Sequence, residues 1–183
     1  MRIGLVGGAL VVAASLWSLG LAAEEGQPGA ARKQRPHVHG VAHLKLAIDG
    51  PEVEVELFAP GVTLVGFEHA PQTDMESETL RLARENLRAG DGMIRFNTDA
   101  ACRLVKARVE TDLPEASSGQ AHADISAYYR FDCAQPRALD SAALGLFTGF
   151  PALQRVLVHY EMAEGRGAAE LTRGNPVVGF IPF

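Results

Sequence analysis

Two runs of alternating apolar and polar residues flank Asp49-Gly50, and they constrain this chain more than any other feature. In the first run Ala42, Leu44, Leu46 and Ile48 fall on one face, with His37, His39, Val41, His43 and Lys45 on the other. In the second, Val53, Val55 and Leu57 alternate with Glu52, Glu54 and Glu56. A period of two marks a half-buried strand, and a slip of one residue would turn every one of those apolar side chains to water. Asp-Gly is a favoured tight-turn dipeptide, so the pattern predicts a β-hairpin that starts at about His37. With Asp49-Gly50 as its two-residue loop, Lys45 faces Glu54 and His43 faces Glu56 on the solvent side.

Further elements follow from local signals. Residues 58–71 form an apolar stretch broken by Gly and Pro, which predicts a loop carrying Glu68 and His69. Thr73 with Glu76 three residues later makes a capping box, opening a predicted helix over residues 74–89 with Leu80, Ala83 and Leu87 as its buried stripe and Gly90 as its stop. That helix is expected to cover one face of the sheet. Strands are predicted at Ile94 and Phe96 and over residues 104–109, 125–133, 155–162 and 168–172, a loop over 113–120, a short helix over 141–148 and an extended tail after Pro176. With 183 residues, 47% of them apolar and 21% charged, there is material for one core and no sign of a repeat. The pattern is that of an α+β chain, mainly antiparallel sheet with one longer and one short helix in a single domain.

The amino terminus has a different character. Arg2, an apolar run over residues 3–21 and the small-residue end Ala22-Ala23 fit a secretory signal peptide over residues 1–23. A retained anchor is the alternative, disfavoured by the single basic residue and the peptidase-like end. Residues 24–36, rich in Gly, Ala and Gln, lack periodicity and are expected to be a flexible leader to a domain over 37–183. Cleavage removes Arg2 alone among the charged residues, taking the net charge from -5 to about −6. An acidic chain without a basic stripe disfavours nucleic acid as a partner and suits cations. No other stretch is long and apolar enough to stay in a membrane after cleavage. Export also bears on Cys102 and Cys133, which an oxidising compartment favours as a disulfide. They sit at matching ends of two predicted antiparallel strands, and neither has the nearby second cysteine of a zinc-thiolate motif. A bridge over a loop of about 30 residues contributes roughly 3 to 4 kcal/mol in the chain-entropy account.

Histidine carries the candidate chemistry. If His37 and His39 occupy alternate positions of one strand, their α-carbons lie about 6.5 to 7 Å apart and both imidazoles can reach one ion. His43, four residues beyond His39, is too far along a straight strand to join them. Further ligands would come from Glu68, His69, His122 or Asp124, the last two repeating the alternate-residue spacing. On its own, such a pair on an exposed strand is more often solvated than ligating. His159, among Val156, Leu157 and Val158, has the setting of a structural residue. Imidazole and carboxylate suit Zn²⁺, and Cu²⁺ or Ni²⁺ as well. Metal affinity should fall as pH drops through the range where imidazole ordinarily protonates, about 6.5. No Gly-x-Ser-x-Gly elbow or phosphate-cradling glycine loop is present, and a cupin site would want a carboxylate soon after the histidine pair, where none stands before Asp49.

The strings His37-Val-His-Gly-Val-Ala-His-Leu-Lys-Leu-Ala47, Val53-Glu-Val-Glu-Leu57 and, most specifically, Leu64-Val-Gly-Phe-Glu-His-Ala-Pro71 resemble the ZrgA-type family of exported bacterial proteins linked to zinc uptake. The similarity continues through Cys102, Tyr129-Arg-Phe-Asp-Cys133, Leu146-Phe-Thr-Gly-Phe-Pro151 and Asn175-Pro176. It implies a periplasmic zinc-binding accessory protein, without catalysis, that assists supply to a zinc import system. It places the family's histidine motif on His37 and His39 and its Phe-Glu-His-Ala-Pro motif on residues 67–71. Where the family has a loop rich in His and Asp, this chain has Glu115-Ala-Ser-Ser-Gly-Gln120, with His122 and Asp124 beyond it. The implied site is therefore a discrete one, built from folded positions. Two other functions compete with it: a metal-free envelope interaction module that docks through residues 58–71, and a small cupin-like metal enzyme.

Overall fold

The computed structural model describes residues 37–113 and 123–180. The signal peptide, the leader, most of the loop at 113–120 and His122 lie outside the described residues. The chain runs β1 (Val41–Asp49), β2 (Glu52–Pro60), α1 (Gly61–Leu64), α2 (Asp74–Arg88), β3 (Ile94–Phe96), β4 (Cys102–Thr111), β5 (Asp124–Cys133), β6 (Ser141–Leu144), α3 (Leu146–Gly149), β7 (Arg155–Met162), β8 (Gly165–Thr172) and β9 (Val177–Gly179). Six strands form one sheet in the order β4-β5-β2-β1-β7-β8, and β3-β6-β9 form a smaller one. All pairs are antiparallel but β1 with β7, which run parallel with Leu44 opposite Val158. This is the expected α+β class, mainly antiparallel, with one longer helix.

The alternation reads through to burial. Leu44, Leu46, Val53, Val55 and Leu57 are essentially inaccessible, and across the sheet they meet Tyr129, Phe131, Val158 and Tyr160. Each such side chain stabilises the fold by about 1.5–3 kcal/mol relative to exposure. Ala83 and Leu87 of α2 and Ile94, Ala142, Leu144 and Val178 of the small sheet belong to the same core. Thr73 caps α2 as its sequence requires, its side chain accepting from the Glu76 N–H. Leu80 is only half-buried, packed at the rim of the core. Cys102 and Cys133 are cross-strand partners joined in a disulfide.

Four expectations are corrected. The first strand begins at Val41, because Gly40 takes a φ of +78° and the Val41 N–H closes a turn onto the Val38 carbonyl. The hairpin loop is Gly50-Pro51, which puts Lys45 opposite Glu56 and His43 opposite Phe58. Pro51 has no N–H to give the ladder, so it is displaced into the loop and the register shifts by two. Residues 58–71 are not all loop, since β2 continues to Pro60 and α1 follows. Finally, residues 141–144 form a strand and only Leu146–Gly149 is helical. β3 and β9 pair with that short Ala-rich strand on both sides, and tertiary pairing outweighs its helical propensity.

Candidate metal centre

The strand ends around α1 gather the chemistry. The Gly61 N–H donates to the Ala123 carbonyl at 2.7 Å, tying the end of β2 to the start of β5. A Cβ on Gly61 would lie 2.8 Å from the Phe67 carbonyl oxygen and 3.1 Å from that of Ala123. Only glycine therefore lets residues 67–68 and 123–124 approach this closely. Glu68 and Asp124, far apart in sequence, reach the same place.

His37 lies between them. Its Nε2 is 3.0 Å from Glu68 Oε1 and its Nδ1 is 3.3 Å from Asp124 Oδ1. The three side chains are 18%, 13% and 20% exposed, shielded yet open to a small ion. An ionised carboxylate only accepts, so the 3.0 Å contact with Glu68 puts a ring hydrogen on Nε2, and Nδ1 lies on the Asp124 side. The turn that delivers His37 is pinned beneath it. The Gly40 N–H donates to Thr63 Oγ1 at 3.0 Å, and the Gly40 carbonyl accepts from the N–H groups of Gln154 and Arg155. Thr63 is the buried polar residue of the described core. Sequence reasoning missed it, and a hydroxyl amid the apolar residues 61–65 was the available signal.

The other candidates are distributed differently. His39 stands exposed in the turn, apart from the His37 cluster. His69 stacks on buried Phe67, its ring centroid 5.3 Å away, with its Nδ1–H donating to the Ala70 carbonyl and its Nε2 3.9 Å from Glu76 Oε1. His43 packs against Phe58. His122 is outside the described residues. Phe58, Leu64, Val65 and Phe67 are buried, so the apolar part of residues 58–71 is core and leaves little docking surface. Among the described residues no group of three or more His, Cys, Asp or Glu is arranged to hold a metal ion as it stands. The geometry explains this: the two carboxylates lie at opposite edges of the ring, so no single point is shared by all three.

A disulfide-braced, mainly antiparallel α+β domain that sets an imidazole between two carboxylates has the donor chemistry of a divalent-cation protein. The chain belongs to the ZrgA family: the model of the ZrgA family zinc uptake protein matches residues 36–180. Membership ties it to zinc uptake. No curated protein matches the chain. Among the described residues no helix is long and apolar enough to cross a membrane.

Proposed function

We propose that this is an exported, periplasmic zinc-binding accessory protein, without catalysis, whose cargo is held at His37 and passed to a zinc import system. The observation that carries the reading is the clasp of His37 between Glu68 and Asp124. Two ligands at 2.0–2.2 Å from a tetrahedral zinc ion stand roughly 3.3 Å apart, close to the spacing on either side of this ring. One ring nitrogen and one carboxylate can therefore take an ion with little movement. The other nitrogen keeps its hydrogen and donates to the other carboxylate, which is how a metal-bound histidine is usually oriented.

The Asp124 side is the better coordination side. There Nδ1 and Oδ1 stand 3.3 Å apart, the spacing of two ligands on one zinc ion, whereas the 3.0 Å contact of Nε2 with Glu68 is a hydrogen bond. Glu68, the least exposed of the three, then orients the ring. An ion held there takes the Nδ1 lone pair, while the Nε2 hydrogen stays on Glu68. The absence of catalysis is supported by the family's tie to zinc uptake.

Zinc titration of the mature protein near neutral pH tests the reading. His37→Ala should weaken binding by on the order of 100-fold and Glu68→Gln by about tenfold, as for the loss of an orienting partner. A mature protein that takes up no zinc, or a His37→Ala variant that binds like the parent, would overturn it.

A further inference from the structure

His69 and Glu76 each engage one side-chain polar atom in a hydrogen bond to the backbone, and the other atoms of the two face one another across a gap. The Ala70 carbonyl can only accept, so the 2.9 Å contact puts the hydrogen of His69 on Nδ1 and leaves the Nε2 lone pair on the side of Glu76. A carbonyl or carboxylate on one nitrogen is the usual second partner of a metal-bound imidazole. Phe67, itself buried, stacks on the ring and fixes its plane. On the other side of the gap, Glu76 Oε2 accepts from the Gln72 N–H at 2.6 Å, which leaves Oε1 to face His69. The Glu76 backbone is in turn fixed by the Thr73 cap.

The remaining separation, 3.9 Å between Nε2 and Oε1, is too long for a hydrogen bond. Two ligands on a tetrahedral zinc ion stand about 3.4 Å apart, so a side-chain shift of about half an ångström brings this pair to coordinating distance. The side chains are 46% and 28% exposed, against 18% for His37, so water can fill the other coordination positions. Glu76 sits in the first turn of α2, whose amino end disfavours a cation, so the pair is a weak holder.

We propose that His69 and Glu76 form a second, exposed zinc site with two protein ligands, weaker than the more shielded cluster at His37. The proposal rests on the reading of that cluster as the principal zinc site. Glu68 and His69 are consecutive residues, so one segment supplies both stations: the first orients His37 and the second faces Glu76.

The test is zinc titration of the mature protein, resolved into stoichiometry and affinity for each ion. Two ions of unequal affinity are expected. Glu76→Gln keeps an oxygen to accept from Gln72 and so preserves the start of α2, which circular dichroism verifies; it should weaken the second ion by tenfold or more and leave the first unchanged. His69→Ala, which does not touch the cap, should do the same. His37→Ala should remove the tighter ion and spare the weaker. One ion bound by the parent and lost with His37→Ala would overturn this proposal while sustaining the principal site, as would a second ion indifferent to both Glu76→Gln and His69→Ala. No ion bound at all would overturn both.

Discussion

His37 and His39 stand two residues apart, share a residue type and fall on alternate positions of a run with the pattern of a strand, yet the fold treats them differently. His37 is drawn in and flanked by two carboxylates, whereas His39 is exposed and makes no side-chain hydrogen bond or ion pair among the described residues. The difference originates in Gly40. Its positive φ ends the extended backbone, and its N–H and carbonyl are spent on Thr63, Gln154 and Arg155. Two histidines with one residue between them chelate only if the strand continues through both. Here a turn makes one of them an anchored group and leaves the other in water.

Paired substitutions give the largest expected effect. His37→Ala should lower zinc affinity by on the order of 100-fold and His39→Ala by less than about threefold, measured in competition with a chromophoric chelator. Equal losses would restore the picture of a strand pair that chelates jointly.

A smaller effect is expected from Gly61→Ala, which inserts a methyl 2.8 Å from one carbonyl oxygen and 3.1 Å from another, both fixed in the backbone. Spreading them costs about 1–3 kcal/mol in chemical denaturation and separates Glu68 from Asp124, so zinc binding should weaken although no ligand is removed. Unchanged stability would contradict the close approach. Thr63→Ala should come next. It leaves the buried Gly40 N–H without its acceptor, at a cost of about 1–3 kcal/mol, and loosens the turn that carries His37. Thr63→Ser should restore both stability and affinity, and failure of that rescue would show that the methyl group, not the hydroxyl, matters.

The two histidines also mark where sequence reasoning stops. The inward faces of β1 and β2, the Thr73 cap and the Cys102–Cys133 bridge were legible because each follows from a local period or a short spacing. The hairpin register was not, because the Asp-Gly signal competed with Pro51, whose missing N–H decided the loop. The pairing of β1 with β7 left no local trace, since parallel neighbours are chosen by the whole sheet. Glu68 and Asp124 could be named as candidates by residue type. That they meet on His37, and not on a His37–His39 pair, depends on the contact of Gly61 with Ala123 and on the turn at Gly40, both tertiary facts.

The smallest expected effect provides the control. Tyr129 lies on β5, the strand that begins with Asp124, and its hydroxyl is buried without a hydrogen-bond partner among the described residues. Burial pushes its pKa well above the ordinary tyrosine value. The folded chain therefore keeps this proton at a pH where the unfolded chain has released it. Above about pH 10 unfolding releases a proton, so stability falls as pH rises from there, while below that pH the group contributes no pH dependence. Tyr129→Phe removes both the unsatisfied hydroxyl and the ionisable group. Near neutral pH it should leave stability unchanged or raise it by up to about 1 kcal/mol, with the gap over the parent widening in alkaline denaturation. Because the substitution alters packing on β5 without touching Gly40, Thr63 or Gly61, the contrast between His37→Ala and His39→Ala should persist in its background. A loss of more than about 1 kcal/mol would mean that the hydroxyl is hydrogen-bonded after all. A collapse of the contrast would mean that stability along β5, and not the turn at Gly40, governs how firmly Asp124 meets His37.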